Sequence, residues 1–268
     1  MDSTGSSTAF GPQLRRWRHS RGVTQETLAL RAGVSPRHLS FVENGRSRPS
    51  REVVIALAEA LDVPLRERNN WLAAAGFAAA YRASGLDDEE LAFVRRALDH
   101  VLAQQEPFGA VVVDGCCNIV RMNGGAQRLF AHVRPTTPAG LAAAGNLLLG
   151  VVHPDALRPY IVNWEEVASH VVARAHREAI ARPNDESRTR LLAAVLPHVP
   201  SAWRTPAPTQ TAAPFVTVHL RAPTLEVRLF TMLSSIGTPL DVTASELQVE
   251  SYFPADADSE QKLRALAT

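Results

Sequence analysis

Cysteine, lysine, long apolar runs and catalytic motifs are all scarce in this chain, and each scarcity closes a class of function. Of 268 residues only Cys116 and Cys117 are cysteine, and they are adjacent. Neighbouring cysteines seldom bridge, and two thiols without a nearby histidine pair make a poor zinc site, so neither a disulfide framework nor a metal is expected. No apolar run approaches the roughly 20 residues that cross a bilayer. The first residues, MDSTGSSTAFGP, lack the basic and apolar regions of a signal peptide, which predicts a cytoplasmic protein with no membrane partner. No glycine-rich phosphate loop follows a strand, and no nucleophile has a plausible base. The expectation is therefore no enzyme and no cofactor. Lysine occurs once, at Lys262, so the basic residues are almost all arginine.

What the chain has is 46% hydrophobic residues, enough for the cores of two modest domains, and a very uneven charge. Between Arg15 and Arg51 stand nine arginines against two acids, Glu26 and Glu43, a local net charge of +7 in a chain whose total is only +1. The remainder is acidic on balance. Such a concentration is the electrostatic footprint of phosphate contact.

That same stretch has the grammar of a DNA reader. TQETLALRAG predicts a helix capped by Thr24, with Leu28, Ala29 and Ala32 on one face and Gly33 closing it at a position that tolerates positive φ. Ser35-Pro36 opens the next helix with an N-cap and a proline at its first position. Helix, tight turn, helix at this spacing is the unit whose second helix enters the major groove. Leu39 and Val42 of that second helix point inward; Arg37, His38, Ser40 and Phe41 point outward.

Thr24-Gln25, Ala32-Gly33-Val34-Ser35, Glu43-Asn44-Gly45 and Pro49-Ser50 resemble the XRE, or Cro/phage-repressor-like, helix-turn-helix family. By that resemblance the recognition helix runs from about Ser35 to Glu43. Gln25 would hold a phosphate and brace the start of the recognition helix, and Asn44 would touch the DNA backbone. The expected DNA-binding set is Gln25, Ser35, Arg37, His38, Ser40, Phe41, Asn44, Arg46 and Arg48. A fourth helix is expected after Ser50, and a fifth through Leu65, Trp71 and Leu72 to Gly76.

LDDEELAFVRRALDHVLAQQ then predicts a linker helix, with Asp87 and Glu90 at capping-box spacing and Leu91, Val94, Leu98 and Val101 in one stripe. From Pro107 the period changes. FGAVVVDGCCNIVRMN is two β-rich runs about an Asp114-Gly115 turn, Asn123 caps a helix, and three more strands follow a helical middle: FVTVHLRA, LEVRLFTMLSS and ELQVESYFPA. Periodicity alone gives an α+β domain whose open antiparallel sheet is covered on one face by helices. Strand, DG turn, strand, Asn, helix resembles the opening of a PAS-type sensor. Pro197 to Pro214, with five prolines, is expected to be a flexible loop without a motif.

HPDALRPYIVNWEEVASHVVARAHREA (from His153) and FTMLSSIGTPLDVTASELQVESYFPAD (from Phe230), together with the front segment, resemble the MmyB-like transcription regulators. That resemblance implies a PAS-like domain taking a small lipophilic ligand such as a fatty acid. A lipophilic acid needs an apolar tunnel with one or two polar anchors. The expected anchors are Arg158, Tyr160, Asn163 and Trp164. The expected lining comes from strand alternation: Val218, Leu229, Thr231, Leu233, Val249 and Phe253, all taken to face the helices.

The predicted architecture is multi-domain. Residues 1–12 form a disordered tail, 13–82 an all-α five-helix helix-turn-helix domain, 83–105 a linker helix, and 106–268 a PAS-like domain with a five-stranded antiparallel sheet. The function that follows is a ligand-responsive transcription regulator acting on a double-stranded DNA operator as a homodimer. Two alternatives stay open: a DNA-binding adaptor whose second domain holds a protein partner, and, with nothing in its favour, a haem or flavin redox sensor.

Overall fold

A computed structural model describes residues 7–181, 185–205 and 215–267 of the chain. Their contacts divide it into two units: 1–84 with 238–245, and 85–237 with 246–268.

The first unit is a bundle of five helices: α1 (Ser7–Ser20), α2 (Gln25–Arg31), α3 (Pro36–Glu43), α4 (Arg51–Ala60) and α5 (Leu65–Ala74). Thr24, Ser35 and Ser50 each accept a hydrogen bond from the amide three residues on, so three of the five begin on a side-chain cap. Gly33 and Gly45, at φ of 67° and 68°, end α2 and α3 in the left-handed region. The core is built from Leu14, Trp17, Leu28, Leu39, Leu57 and Trp71, all fully buried. Phe10 belongs to it too, its ring edge-on to Trp71 at 5.5 Å. The expected tail is thus shortened. α1 runs through Gly11-Pro12, with Pro12 inside the helix and Phe10 buried in the core. Residues 1–6 of the expected tail lie outside the described residues.

The second unit opens with a short 3₁₀ turn at Glu89–Leu91 and α6 (Ala92–Gln104). The expected capping box is replaced: the Asp88 carboxylate accepts from the Gly85 amide, and α6 starts two residues beyond Glu90. Its buried stripe is Leu91, Leu98 and Leu102; Val101 is left partly exposed, because from Leu98 the inward position falls four residues on, not three.

The sheet has five antiparallel strands, β1 (Ala110–Val113), β2 (Ile119–Met122), β3 (Val218–Ala222), β4 (Leu225–Ser235) and β5 (Gln248–Pro254), in the order β2-β1-β5-β4-β3. The β1–β2 connection is longer than a two-residue primed turn. Asp114 Oδ1 accepts from the amides of Cys116 and Asn118 at 2.8 and 2.9 Å, and Cys117, not Gly115, takes the positive φ of 64°. Asn123 caps the next helix and does more: Oδ1 accepts from Ala110 and Ala126, and Nδ2 donates to the carbonyls of Leu102 and Phe108.

The remaining helices are α7 (Gly124–His132), α8 (Pro138–Ala144), α9 (Leu147–Val152), α10 (Trp164–Ala181), α11 (Glu186–Val195), α12 (Val242–Glu246) and α13 (Ala257–Ala265). Ala126, Leu129, Val167 and Leu263 bring α7, α10 and α13 onto the inner sheet face, where Val111, Val113, Leu220, Val227, Leu229 and Tyr252 meet them. The outer face is not bare as expected: Leu98 and Leu102 of α6 cover Ala110, Val112 and Val249 there. The start of the expected proline-rich loop is ordered. It makes two 3₁₀ turns, and Trp203 lies 5.8 Å from Trp164 while its carbonyl meets His176 at 3.0 Å. Residues 206–214 of that loop lie outside the described residues.

Candidate DNA-reading surface and ligand site

Three side chains fix the recognition helix in the first unit. Arg18 donates from Nε and Nη2 to the two carboxylate oxygens of Glu43 at 2.6 and 3.0 Å, and Gln25 Nε2 donates to Glu43 Oε2 at 2.7 Å. Burial raises the Glu43 carboxyl, but the hydrogen bonds from Arg18 and Gln25 outweigh it and hold the pKa below the usual carboxylate value. Gln25 therefore braces the end of α3 rather than its start. Arg18 and Glu43 belong to the charged stretch between Arg15 and Arg51, but both are buried. They are 25 residues apart, so no local pattern announces the pair.

On the other side of α3, Arg37 is exposed and its guanidinium lies 5.4 Å from the Phe41 ring, the two one turn apart. His38, Ser40 and Phe41 are half-buried, flanking it. The Ser35 hydroxyl accepts from the His38 amide at 3.2 Å, so it caps the helix while remaining exposed. Asn44 donates to the Ser40 carbonyl at 2.8 Å, and Arg46 is exposed. Arg48 is turned away: it donates to the Ala75 carbonyl at 3.2 Å and closes the C-terminus of α5.

In the second unit the expected anchors are already committed to the fold. Arg158 lies 3.7 Å over the Trp164 ring and donates to the His198 carbonyl; Trp164 Nε1 donates to Val151. Asn163 donates to the Thr217 carbonyl and accepts from the His219 amide, stitching the start of α10 to β3. Tyr160 donates to the Arg134 carbonyl at 3.4 Å.

The expected lining is corrected by register. Leu233 pairs with Glu250 and Thr231 with Tyr252, so Glu250 and Tyr252 share the inner face with Leu229, Thr231 and Leu233. Val249 and Phe253 lie on the outer face, with Phe253 stacked on Phe230 at 5.3 Å. Both faces of β5 carry apolar residues, and alternation alone could not choose the phase. Val218 and Leu229 do pair on the inner face, but Leu229 is close-packed core, while Thr231 and Leu233 are exposed. Burial raises the Glu250 carboxyl, against the pull of Arg174. Burial likewise pushes both thiols up, Cys116 and Cys117, which keeps them protonated and unreactive.

The inner face is open elsewhere. A groove of about 410 Å³ lies between β2 and helices α7 to α9, lined by apolar side chains and by Gln127 and Arg134. Among the described residues no cluster of histidine, cysteine or acids could hold a metal, and no helix is long and apolar enough to cross a membrane.

Comparison with known proteins agrees with these two units. The helix-turn-helix domain family matches residues 9–71. The uncharacterized HTH-type transcriptional regulator RghRB of Bacillus subtilis (strain 168) is 40% identical over 73 residues, 27% of this chain and 50% of that protein. The uncharacterized HTH-type transcriptional regulator y4dJ of Sinorhizobium fredii (strain NBRC 101917 / NGR234) is 40% identical over 53 residues, 20% of this chain and 69% of that protein. The chain thus spans about half the length of the first of these relatives. The restriction-modification controller protein C.AhdI from Aeromonas hydrophila, a solved structure, is 38% identical over 23% of this chain and 92% of its own, at a TM-score of 0.22. The MmyB-like transcription regulator ligand binding domain family matches residues 94–266, well over half of the chain. The chain belongs to the MmyB-like transcription regulators and carries a helix-turn-helix domain ahead of their ligand binding domain.

Proposed function

We propose that this regulator binds its operator as a homodimer in the cytoplasm and changes its DNA affinity when a small, fatty-acid-like ligand occupies the second unit. The observation that carries the ligand reading is the apolar groove of about 410 Å³ in that unit, within the roughly 300–1,000 Å³ range of small-molecule sites. On the DNA side, Arg37, His38, Ser40 and Phe41 read base edges. Ser35, Asn44 and Arg46 lie along the phosphates, while Gln25 serves through its brace on Glu43. A ligand alters DNA binding only if its affinity differs between two states of the protein. The test is lipid extraction and mass spectrometry of the purified protein, followed by operator binding with and without decanoate. Recovery of a lipophilic molecule that shifts operator affinity supports the reading; a protein that carries none and does not respond contradicts it.

A second reading, a DNA-binding adaptor for a protein partner, is favoured by one feature. The outer sheet face carries a row of rings, Phe215, Phe230 and Phe253, with Met232 beside them; Phe215 and Met232 are more than half exposed. Loss of a co-purifying protein on Met232→Glu, with ligand response intact, would favour it.

A further inference from the structure

The groove beside β2 has a chemical polarity of its own. Its floor is Ile119 and Met122 from β2, Phe130 from α7, Leu147 from α9, and Leu157, all packed against the main core of the unit. Leu141 of α8 stands at the rim, 44% exposed. Among the described residues, Arg134 is the only charged side chain in the wall. Its backbone is held on both sides, because Val133 and Pro135 are buried and its carbonyl accepts from Tyr160.

The guanidinium of Arg134 makes no hydrogen bond or ion pair among the described residues. Nearby arginines are committed: Arg121 pairs with Asp99, Arg128 with Glu106, and Arg158 with the His198 carbonyl. Gln127 is the other polar side chain of the wall and likewise has no side-chain partner among them. Arg134 is exposed, with its backbone anchored and its guanidinium unpaired among the described residues, and a cation placed beside an apolar wall is complementary to an anion attached to an apolar body.

We propose that this groove is the ligand site of the second unit and takes an anionic amphiphile, its acid group on Arg134 and its apolar body along Ile119, Met122 and Phe130. This deepens the lipophilic-ligand reading and rests on it. Two other places in the unit fit such a ligand poorly. A neighbouring groove of about 430 Å³ shares Ile119, Met122 and Gln127 with this one, but its charged groups, Asp99 and Arg121, pair with each other. On the inner face of β5 the polar groups are Gln248, the carboxyl of Glu250 and the phenol of Tyr252, and the nearby cation, Arg174, already acts on Glu250.

The test compares decanoate with 1-decanol, which differ in the acid group and share the apolar chain, by calorimetric titration of the full chain. Wild-type protein is expected to bind decanoate more tightly than decanol. Arg134→Gln is expected to weaken decanoate about tenfold and leave decanol unchanged, while Leu141→Trp, which fills the groove from its exposed rim, weakens both. Unchanged melting of both variants and unchanged operator affinity without ligand establish that the fold is intact. Decanoate binding that neither variant alters places the site elsewhere and overturns this assignment, leaving the lipophilic-ligand reading standing. Equal loss of acid and alcohol in Arg134→Gln overturns the acid-group role. Wild-type protein that binds neither probe overturns the lipophilic reading itself, and the assignment with it.

Discussion

Arg18 and Glu43 form a buried, two-pronged ion pair that ties the first helix of the reader to the last residue of its recognition helix. Removing one partner leaves the other charge buried, so Arg18→Ala and Glu43→Gln should each destabilise the first unit by about 3–5 kcal/mol, and the paired change Arg18→Met/Glu43→Leu by much less. The pH dependence follows from the direction of the Glu43 shift. Its folded pKa is depressed, so the stabilisation is present above the unfolded carboxylate value of about 4.3 and is lost as pH falls through the lower folded value. Acid titration of helicity should show this loss in the wild type and not in Glu43→Gln.

The start of α1 should matter as much as the helices that follow. A Cβ on Gly11 would lie 2.6 Å from the carbonyls of Val42 and Glu43, so Gly11→Ala should force α1 off the end of α3 and weaken operator binding. Phe10→Ala empties a fully buried site and should cost about 3–5 kcal/mol. Urea unfolding and fluorescence anisotropy on operator DNA check both; wild-type stability in Phe10→Ala would mean the N-terminal turn contributes nothing.

Arg37 and Arg46 should separate base reading from phosphate contact. Arg37→Ala is expected to cost roughly 1–3 kcal/mol on the preferred operator and to relax the choice at one base pair. Arg46→Ala should weaken all sequences alike and lower the salt slope by about one. Binding titrations on operator and random DNA at several salt concentrations decide it; equal losses on both DNAs for Arg37→Ala make it a phosphate contact instead.

Leu229 tests whether the inner face of β4 is cavity or core. With 2% exposure and core neighbours on β3 and α13, Leu229→Trp should overpack the sheet and cost about 1–3 kcal/mol, lowering the melting temperature. A variant that melts like the wild type would show unfilled space there.

Much of the reader was legible because its signals are local. Thr24, Ser35 and Ser50 cap helices within three residues of themselves, and Leu39 and Val42 are buried where the period of α3 puts them. The strand segments were legible for the same reason, and LEVRLFTMLSS is β4 from end to end. The phase of β5 was not. Val249, Ser251 and Phe253 look like an inward set, but which face they take depends on which residue of β4 stands opposite, a contact across intervening chain. The partners of the expected anchors were hidden for the same reason: only Thr217, His219 and Val151, distant in the chain, show that the polar groups of Asn163 and Trp164 hydrogen-bond within the fold.

The sequence by itself determined that a basic helix-turn-helix precedes an α+β domain, because charge, capping and periodicity are properties of neighbouring residues. Tertiary structure decided what those residues do. It buried Arg18 and Glu43 together, exposed Arg37, and left Arg134 unpaired among the described residues beside an apolar groove. It also returned residues 238–245 to the first unit, where Asp241 accepts from the Ser84 amide at 3.0 Å and Val242 donates to the Arg82 carbonyl at 2.7 Å. Those partners are about 160 residues apart in the chain. Local propensities fix the elements, and only long-range packing selects which polar groups are satisfied within the fold and which are left for a ligand.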